Sequence, residues 1–326
     1  MHKKRLLSGI QSTGKIHLGN YFGAVKNWAD LQNKYDAYYF VADLHALTTS
    51  YDQDVSIKEN TYEVVADLIA CGINTNEATL FVQSYLPEHA ELHLILSMIT
   101  PLPWLERVPT YKSKIEDLKG RDLNTYGFLG YPVLMAGDIL MYMADAVPVG
   151  KDQAPHLELT REIARRFNFL YKTNFFKEPT DLYTDVPVLS GTDGRKMSKS
   201  YGNAIYFADD EDTIVKKIKT MFTDPQRLKR TDPGNPDVCG VYAFHQIFGQ
   251  GSKVEEGCKT AAIGCVDCKK ELLDELLAFM KPIREKRQLL IADKAELDKI
   301  IIAGNEKARK IASKTLDDIK KIIKIN

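Results

Sequence analysis

The chain has 326 residues, 44% of them hydrophobic and 27% charged, a composition typical of a folded globular protein with room for one large and one smaller domain. Lys plus Arg equals Asp plus Glu at 44 each, which excludes a protein that grips nucleic acid by overall charge; any basic surface must be local. No apolar run approaches the roughly 20 residues of a membrane span, and the two leucines after Lys3-Lys4-Arg5 are too few for a secretory signal, so a cytoplasmic location is expected.

Residues 5–10 form a short apolar run, expected as a strand, followed by Gln11-Ser12-Thr13-Gly14-Lys15-Ile16-His17-Leu18-Gly19-Asn20. From Tyr21 to Lys34 the apolar residues Phe22, Val25, Trp28 and Leu31 recur at helical spacing. Strand, glycine turn and helix in that order offer free N–H groups and the positive end of a helix dipole, which suits a phosphate. Gly19 admits close approach, and His17 can donate to a phosphate or ribose oxygen; a capped helix start is the plainer reading of His17-Leu18-Gly19-Asn20 taken alone. Residues 37–41 and 79–83 read as buried strands. Residues 56–71 read as a helix with Ile57, Val64, Val65, Leu68 and Ile69 inward. Strands alternating with helices predict a parallel sheet covered on both faces.

Residues 87–127 break that rhythm with Pro87, Pro101, Pro103 and Pro109, and read as a helical insertion. Residues 131–145 read as an apolar helix with Pro132 in its first turn, 146–150 as a strand entering a loop, and 153–168 as a further helix. On one face of the first of these helices lie Tyr131, Met135 and Asp138, within two turns. Residues 187–203 are loop-like and carry Lys196-Met197-Ser198-Lys199-Ser200 behind Gly191-Thr192-Asp193-Gly194-Arg195. Glycines carrying two lysines and two hydroxyls make a mobile cationic loop that can close over a triphosphate. Beyond about residue 206 the pattern is helical, interrupted at Asp232-Pro233-Gly234-Asn235-Pro236.

Five cysteines are present. An odd number in this setting argues against a disulfide framework. Cys71 sits on an apolar helix face and reads as core. Cys239, Cys258, Cys265 and Cys268, separated by eighteen, six and two residues, can supply four thiolates to one centre, either tetrahedral zinc or an iron–sulfur cluster. Reduced thiols packed as small apolar residues are the alternative. From Gly304 to Asn326, seven basic residues (Lys307, Arg309, Lys310, Lys314, Lys320, Lys321, Lys324) face three acidic ones (Glu306, Asp317, Asp318), a local excess able to attract an RNA backbone or simply to solvate a helix face.

The histidine–glycine element followed about 180 residues later by Lys196-Met197-Ser198-Lys199-Ser200 resembles the signature pair of the class I aminoacyl-tRNA synthetases. The general first motif ends in His, and this chain has Asn20 there, as the tryptophan branch does. Ser8-Gly9-Ile10-Gln11, Gly19-Asn20-Tyr21, Trp104-Leu105-Glu106-Arg107-Val108 and Gly150-Lys151-Asp152-Gln153 extend the likeness, which runs over nearly all of residues 4–326. It implies a Rossmann-like α/β catalytic domain over 1–205, with its insertion near 87–127, and a smaller all-α domain over 206–326 that receives the anticodon region of tRNA(Trp).

The resemblance further implies roles. His17 and Asn20 meet ATP phosphates, and Lys196 and Lys199 the leaving pyrophosphate, with Mg2+ bridging. Gly150, Lys151 and Asp152 contact the ribose and Val188 the adenine; Gln11, Ser12, Thr13, Gly19, Met197, Ser198 and Ser200 complete the nucleotide site. Asp138 accepts the indole N–H of L-tryptophan in a pocket that Met135 helps to line, while Tyr131, Gln11 and Gln153 hold its amino and carboxylate groups. Indole has one donor and no acceptor, so a buried carboxylate favours tryptophan over phenylalanine. For the cysteines the resemblance favours a [4Fe-4S] cluster over zinc, and the family's homodimer is expected. A tyrosyl enzyme, a small-molecule adenylyltransferase and a non-catalytic iron–sulfur module are the rival readings.

Overall fold

A computed structural model describes residues 3–109, 123–150, 153–183 and 189–325. Five parallel strands form one sheet: β1 (Arg5–Gln11), β2 (Asp36–Ala42), β3 (Thr79–Val82), β4 (Ala146–Val149) and β5 (Thr180–Tyr183), in the order β3-β2-β1-β4-β5. The chain winds outward from β1 in one direction through β3 and returns to its other side with β4. The strand order therefore reverses between β1 and β4, the place where open α/β sheets bind ligands beyond the carboxyl ends of their strands. Pairing differs across that point. β1 and β2 run in register from Arg5–Asp36 to Gln11–Ala42, whereas β1 meets β4 at Leu6–Ala146. Past Leu6 the two strands diverge and a crevice opens.

Helices cover both faces. α1 is one helical stretch made of Leu18–Asn20, a π turn over Tyr21–Val25, and Lys26–Leu31. Trp28 of α1 stacks on Tyr39 of β2 with ring centres 5.1 Å apart. α2 (Asp43–Ser50) leaves directly from β2, and α3 (Ile57–Ala70) is capped by Ser56, whose side chain accepts the Glu59 N–H at 3.2 Å. Cys71 closes α3 and is buried, as its apolar face predicts. The region after β3 supplies α4 (Glu88–Ser97) and α5 (Leu102–Glu106), while part of the 87–127 insertion lies outside the described residues.

α6 (Tyr126–Met141) begins five residues earlier than its sequence pattern predicts, capped by Thr125, which accepts the Phe128 N–H at 3.2 Å. Pro132 therefore lies inside the helix rather than in its first turn. α7 (Ala154–Leu170) follows β4, and α8 (Glu211–Thr220), α9 (Gly240–Ile247), α10 (Gly251–Lys259), α11 (Cys265–Ala292) and α12 (Lys294–Ile323) complete the described helices.

The last helix returns to the sheet. Asn305 of α12 accepts the Val82 N–H of the edge strand β3 at 2.9 Å, satisfying a donor that an uncovered edge would leave exposed. Approach is so close that a side chain at Gly304 would run into the Leu80 carbonyl. Three of the basic residues counted for RNA are engaged on the protein itself: Arg309 lies 3.6 Å from Glu88, Lys320 2.6 Å from Glu91 and Lys321 3.5 Å from Asp318. Among the described residues no helix is long and apolar enough to cross a membrane.

Candidate active site

The crevice between β1 and β4 is a cleft of about 280 Å³, near the lower end of the roughly 300–1,000 Å³ usual for small-molecule sites. Gln11 and Gly9 from the end of β1, Val149 and Gly150 from the end of β4, and Tyr131, Met135 and Asp138 from α6 form its walls, with Gln153 at the start of α7. Gly9 is required there because the Phe40 ring occupies the space a Cβ would fill. Gly23 and Ala24 of the π turn line the opposite side, and a π turn beside a site is where such bulges tend to occur. Six predicted residues from four parts of the chain (Gln11, Tyr131, Met135, Asp138, Gly150, Gln153) thus share one cavity.

Asp138 is almost completely buried and carries more partners than α6 could reveal. His45 Nε2 lies 2.8 Å from one carboxylate oxygen and His89 Nδ1 2.7 Å from the other, while Gln83 Nε2 donates to both at 2.8 and 2.9 Å. Burial pushes the carboxyl up, but the hydrogen bonds and charges of His45 and His89 outweigh it and hold the pKa down at about 2. His89 is fixed in turn by Tyr142 Oη at 2.9 Å. His45 also lines the cleft, so it is the partner of Asp138 that a ligand meets first. Tyr131 Oη lies 3.2 Å from His156 Nε2 on α7. The sequence offers no role at this site for Gln83, His45, His89 or His156, the histidines showing no ligand spacing along the chain. Each belongs to a different element from the residue it supports, and no spacing along the chain signals that.

A second cluster joins the glycine turn to the lysine-bearing loop. His17 caps α1: its Nδ1 accepts the Asn20 N–H at 3.1 Å, and Asn20 Oδ1 accepts the His17 N–H at 3.3 Å. Burial first, and the Lys199 charge second, lower the His17 pKa to about 4. The ring is neutral with Nδ1 as acceptor, which puts its proton on Nε2 as a donor. The lysine-bearing flap lies on this turn. Lys199 Nζ donates to the Gly14 carbonyl at 2.7 Å and to Thr13 Oγ1 at 3.4 Å, and the Gly19 N–H points at Met197 Sδ at 3.3 Å. Burial lowers the Lys199 pKa to about 8, with Asp67 opposing. The return leg of the flap is stitched to the same turn by Leu18 N–H to Ile205 carbonyl at 2.9 Å.

Within the flap, buried Asn203 is the staple, another residue the sequence did not announce. Its Oδ1 accepts the Ser198 N–H at 2.8 Å, and its Nδ2 donates to Asp193 at 2.7 Å and to the Lys196 carbonyl at 3.2 Å. Lys196 and Ser200 are exposed, and Ser198 Oγ lies 2.9 Å from Ser200 Oγ. Ser12 is buried, and its Oγ has no hydrogen-bond partner among the described residues. Lys151, Asp152 and Val188 lie outside the described residues.

All four clustered cysteines line a small cavity walled by Val241, Tyr242, Val254 and Ile263, with Arg227 Nη1 3.7 Å from Cys258 Sγ. Burial pushes the Cys268 thiol up to about 12, and the other three cysteines add to the shift. A shared cavity and an all-thiol donor set fit a thiolate-ligated group in chemistry. Among the described residues, however, no three Cys, His, Asp or Glu side chains are already disposed as a metal cage.

Residues 1–281 match the family described as tRNA synthetases class I (W and Y). A tryptophan–tRNA ligase of Thermotoga maritima is 49% identical, covering 98% of this chain and 99% of its own. The crystal structure of a tryptophanyl-tRNA synthetase from Campylobacter jejuni, complexed with ADP and tryptophan, matches with a TM-score of 0.89 at 35% identity, over 98% of this chain and 100% of that one. A tyrosyl-tRNA synthetase from Archaeoglobus fulgidus shares the fold at a TM-score of 0.67 and 22% identity, over 87% of this chain and 90% of that one. A family match through residue 281, joined to relatives alike over nearly their whole length, means that this chain belongs to the class I tRNA synthetases of the tryptophan and tyrosine group.

Proposed function

We infer that the chain is a tryptophan–tRNA ligase, which activates L-tryptophan with ATP and transfers it to tRNA(Trp). Near-full-length identity to tryptophan–tRNA ligases supports this reading, and the observation that carries it on the structural side is Asp138, ionised at the wall of a mostly apolar cleft. The indole N–H takes a place on that carboxylate, His45 yielding room, while Met135 packs on the ring and Tyr131, Gln11 and Gln153 orient the amino and carboxylate groups. The tryptophan carboxylate attacks the α-phosphate of ATP, pyrophosphate leaves, and the 2′-hydroxyl of the terminal tRNA adenosine then takes the aminoacyl group from the adenylate.

No side chain has to form a covalent bond. Positioning and charge stabilisation supply the rate. His17 faces the phosphates through Nε2–H and Asn20 through its side-chain amide, Gly19 admits their close approach, Lys199 and Lys196 receive the pyrophosphate, and Ser12, Thr13, Met197, Ser198 and Ser200 complete the nucleotide site. Mg2+ arrives with ATP on its phosphate oxygens. Gly150, Lys151 and Asp152 hold the ribose, and Val188 the adenine. Residues 206–326 take the anticodon region. A homodimer would draw on exposed apolar residues such as Leu94 of α4, Leu102 of α5 and Tyr126 of α6, and the cytoplasm is the place of work.

Cys239, Cys258, Cys265 and Cys268 would hold a [4Fe-4S] cluster, or zinc as the alternative; a cluster there would bind α9, α10 and α11 together and carry redox chemistry. Charging assays with purified tRNA test the reading: tryptophan is loaded and tyrosine is not. Equal loading of tyrosine, or adenylate formation without transfer to tRNA, would remove it. Iron analysis of the same anaerobic preparation separates the cluster from the catalysis, since a charging enzyme free of iron retains the second and loses the first.

A further inference from the structure

Beneath the nucleotide turn lies a buried ion pair that the two-step reaction does not use. Asp67 of α3 is fully buried; one of its carboxylate oxygens accepts the Ile16 N–H at 2.7 Å and the other accepts from Arg287 Nε at 2.5 Å. Arg287 belongs to α11, in the C-terminal helical region, is itself buried, and also bonds Glu63 one turn before Asp67. Ile16 stands directly before His17, and Gly14, two residues earlier, receives Lys199. A single carboxylate therefore joins α11 to the backbone of the turn on which the flap rests.

Such a pair is not the best way to pack two helices. Apolar residues of similar volume commonly hold elements together as well as a buried ion pair does. Burial pushes the Asp67 carboxyl up to about 7, opposed by the Ile16 N–H and by the charges of Lys199 and Lys15. What the Asp67 carboxyl supplies, and an apolar residue cannot, is an acceptor for the Ile16 N–H that Arg287 holds in place from the other oxygen. That bond sets the position of the turn relative to α3.

We propose that Arg287 is a positioning residue for the nucleotide: it orients Asp67, which through Ile16 holds residues 14–20 where they meet ATP. The inference rests on the reading of that turn as the ATP site. Its test is the split between ATP and tryptophan in the full-length protein, using Arg287→Met, Arg287→Lys and Asp67→Asn, each with its thermal midpoint. Losing a hydrogen bond to a charged group is worth roughly tenfold, so Arg287→Met is expected to raise the KM for ATP about that much, with the Kd for tryptophan unchanged. Arg287→Lys, which keeps the charge, recovers part of the loss. Asp67→Asn combined with Arg287→Met is expected to be no worse than the single changes, because the two residues act as one unit.

A lowered midpoint with an unmoved ATP KM, or equal weakening of ATP and tryptophan, would overturn the proposal. Should Arg287→Met not fold, the same split is read from Arg287→Lys and Asp67→Asn. A wild-type protein without tryptophan-dependent pyrophosphate exchange would bring down the ATP reading underneath, whereas an active wild type with unaffected variants would bring down this inference alone.

Discussion

Lys199 and His17 carry opposite consequences of burial. Both lose solvation, and both pKa values fall, Lys199 to about 8 and His17 to about 4. For His17 the result is a ring that is neutral across the physiological range, able to keep Nδ1 as an acceptor for Asn20. For Lys199 it is a cation that begins to discharge within reach of assay conditions. Charge is present below its pKa and lost above it, so kcat/KM for ATP, which reports the free enzyme, is expected to fall as pH rises through about 8. His17 contributes no inflection near 6.5, because it titrates lower. In Lys199→Arg the alkaline fall should disappear, since guanidinium stays charged; a fall that persists there would assign it to another group. At this scale the sequence was readable where a residue acts directly: Gln11, Tyr131, Met135, Asp138 and Gln153 were named from the likeness, and all line one cleft. It was unreadable where a residue acts on another. His45, Gln83 and His89 reach Asp138 from α2, the end of β3 and α4, and Asn203 reaches back across its own loop.

Elements were legible in proportion to their periodicity. β1, β2, β3 and β4 and the helices α3 and α7 lie where apolar patterns place them, within a residue or two at their ends. β5 went unseen because its four residues, Thr180-Asp181-Leu182-Tyr183, lie at a partly exposed edge and offer no buried apolar run. α2 went unseen because it starts at Asp43, directly after the last residue of β2, with no turn signal between them. α12 shows a third kind of gap. Its amphipathic pattern announces a helix, but only the fold reveals that it lies on β3, with Gly304 against the Leu80 carbonyl. Gly304→Ala adds one methyl to a contact without room for it. Overpacking of this kind costs roughly 1–3 kcal/mol, and a thermal midpoint lowered by several degrees is the expected result. Activity per folded molecule should be retained; an unchanged midpoint would show that α12 can shift away from β3 freely.

Over the whole molecule, the C-terminal helices are tied to the catalytic sheet at more than one point. α12 seals the β3 edge through Asn305, and α11 reaches the nucleotide turn through Arg287 and Asp67. α11 also begins at Cys265, in the wall of the cysteine cavity, so one helix of about 33 Å between Cys265 and Arg287 spans from that cavity to the turn's support. Residue patterns place a domain change near residue 206, and the helices beyond it reach both the sheet and, through Asp67, the glycine turn. In the function proposed, ATP is held between the glycine turn and the lysine flap. Tryptophan-dependent ATP–pyrophosphate exchange, measured beside tryptophan binding in wild type and Lys199→Ala, tests it most directly. Removing one charge-stabilising donor costs roughly 100-fold or more in rate, so exchange is expected to fall by about that factor while tryptophan binds as before; exchange that survives, or binding that falls equally, would contradict the account.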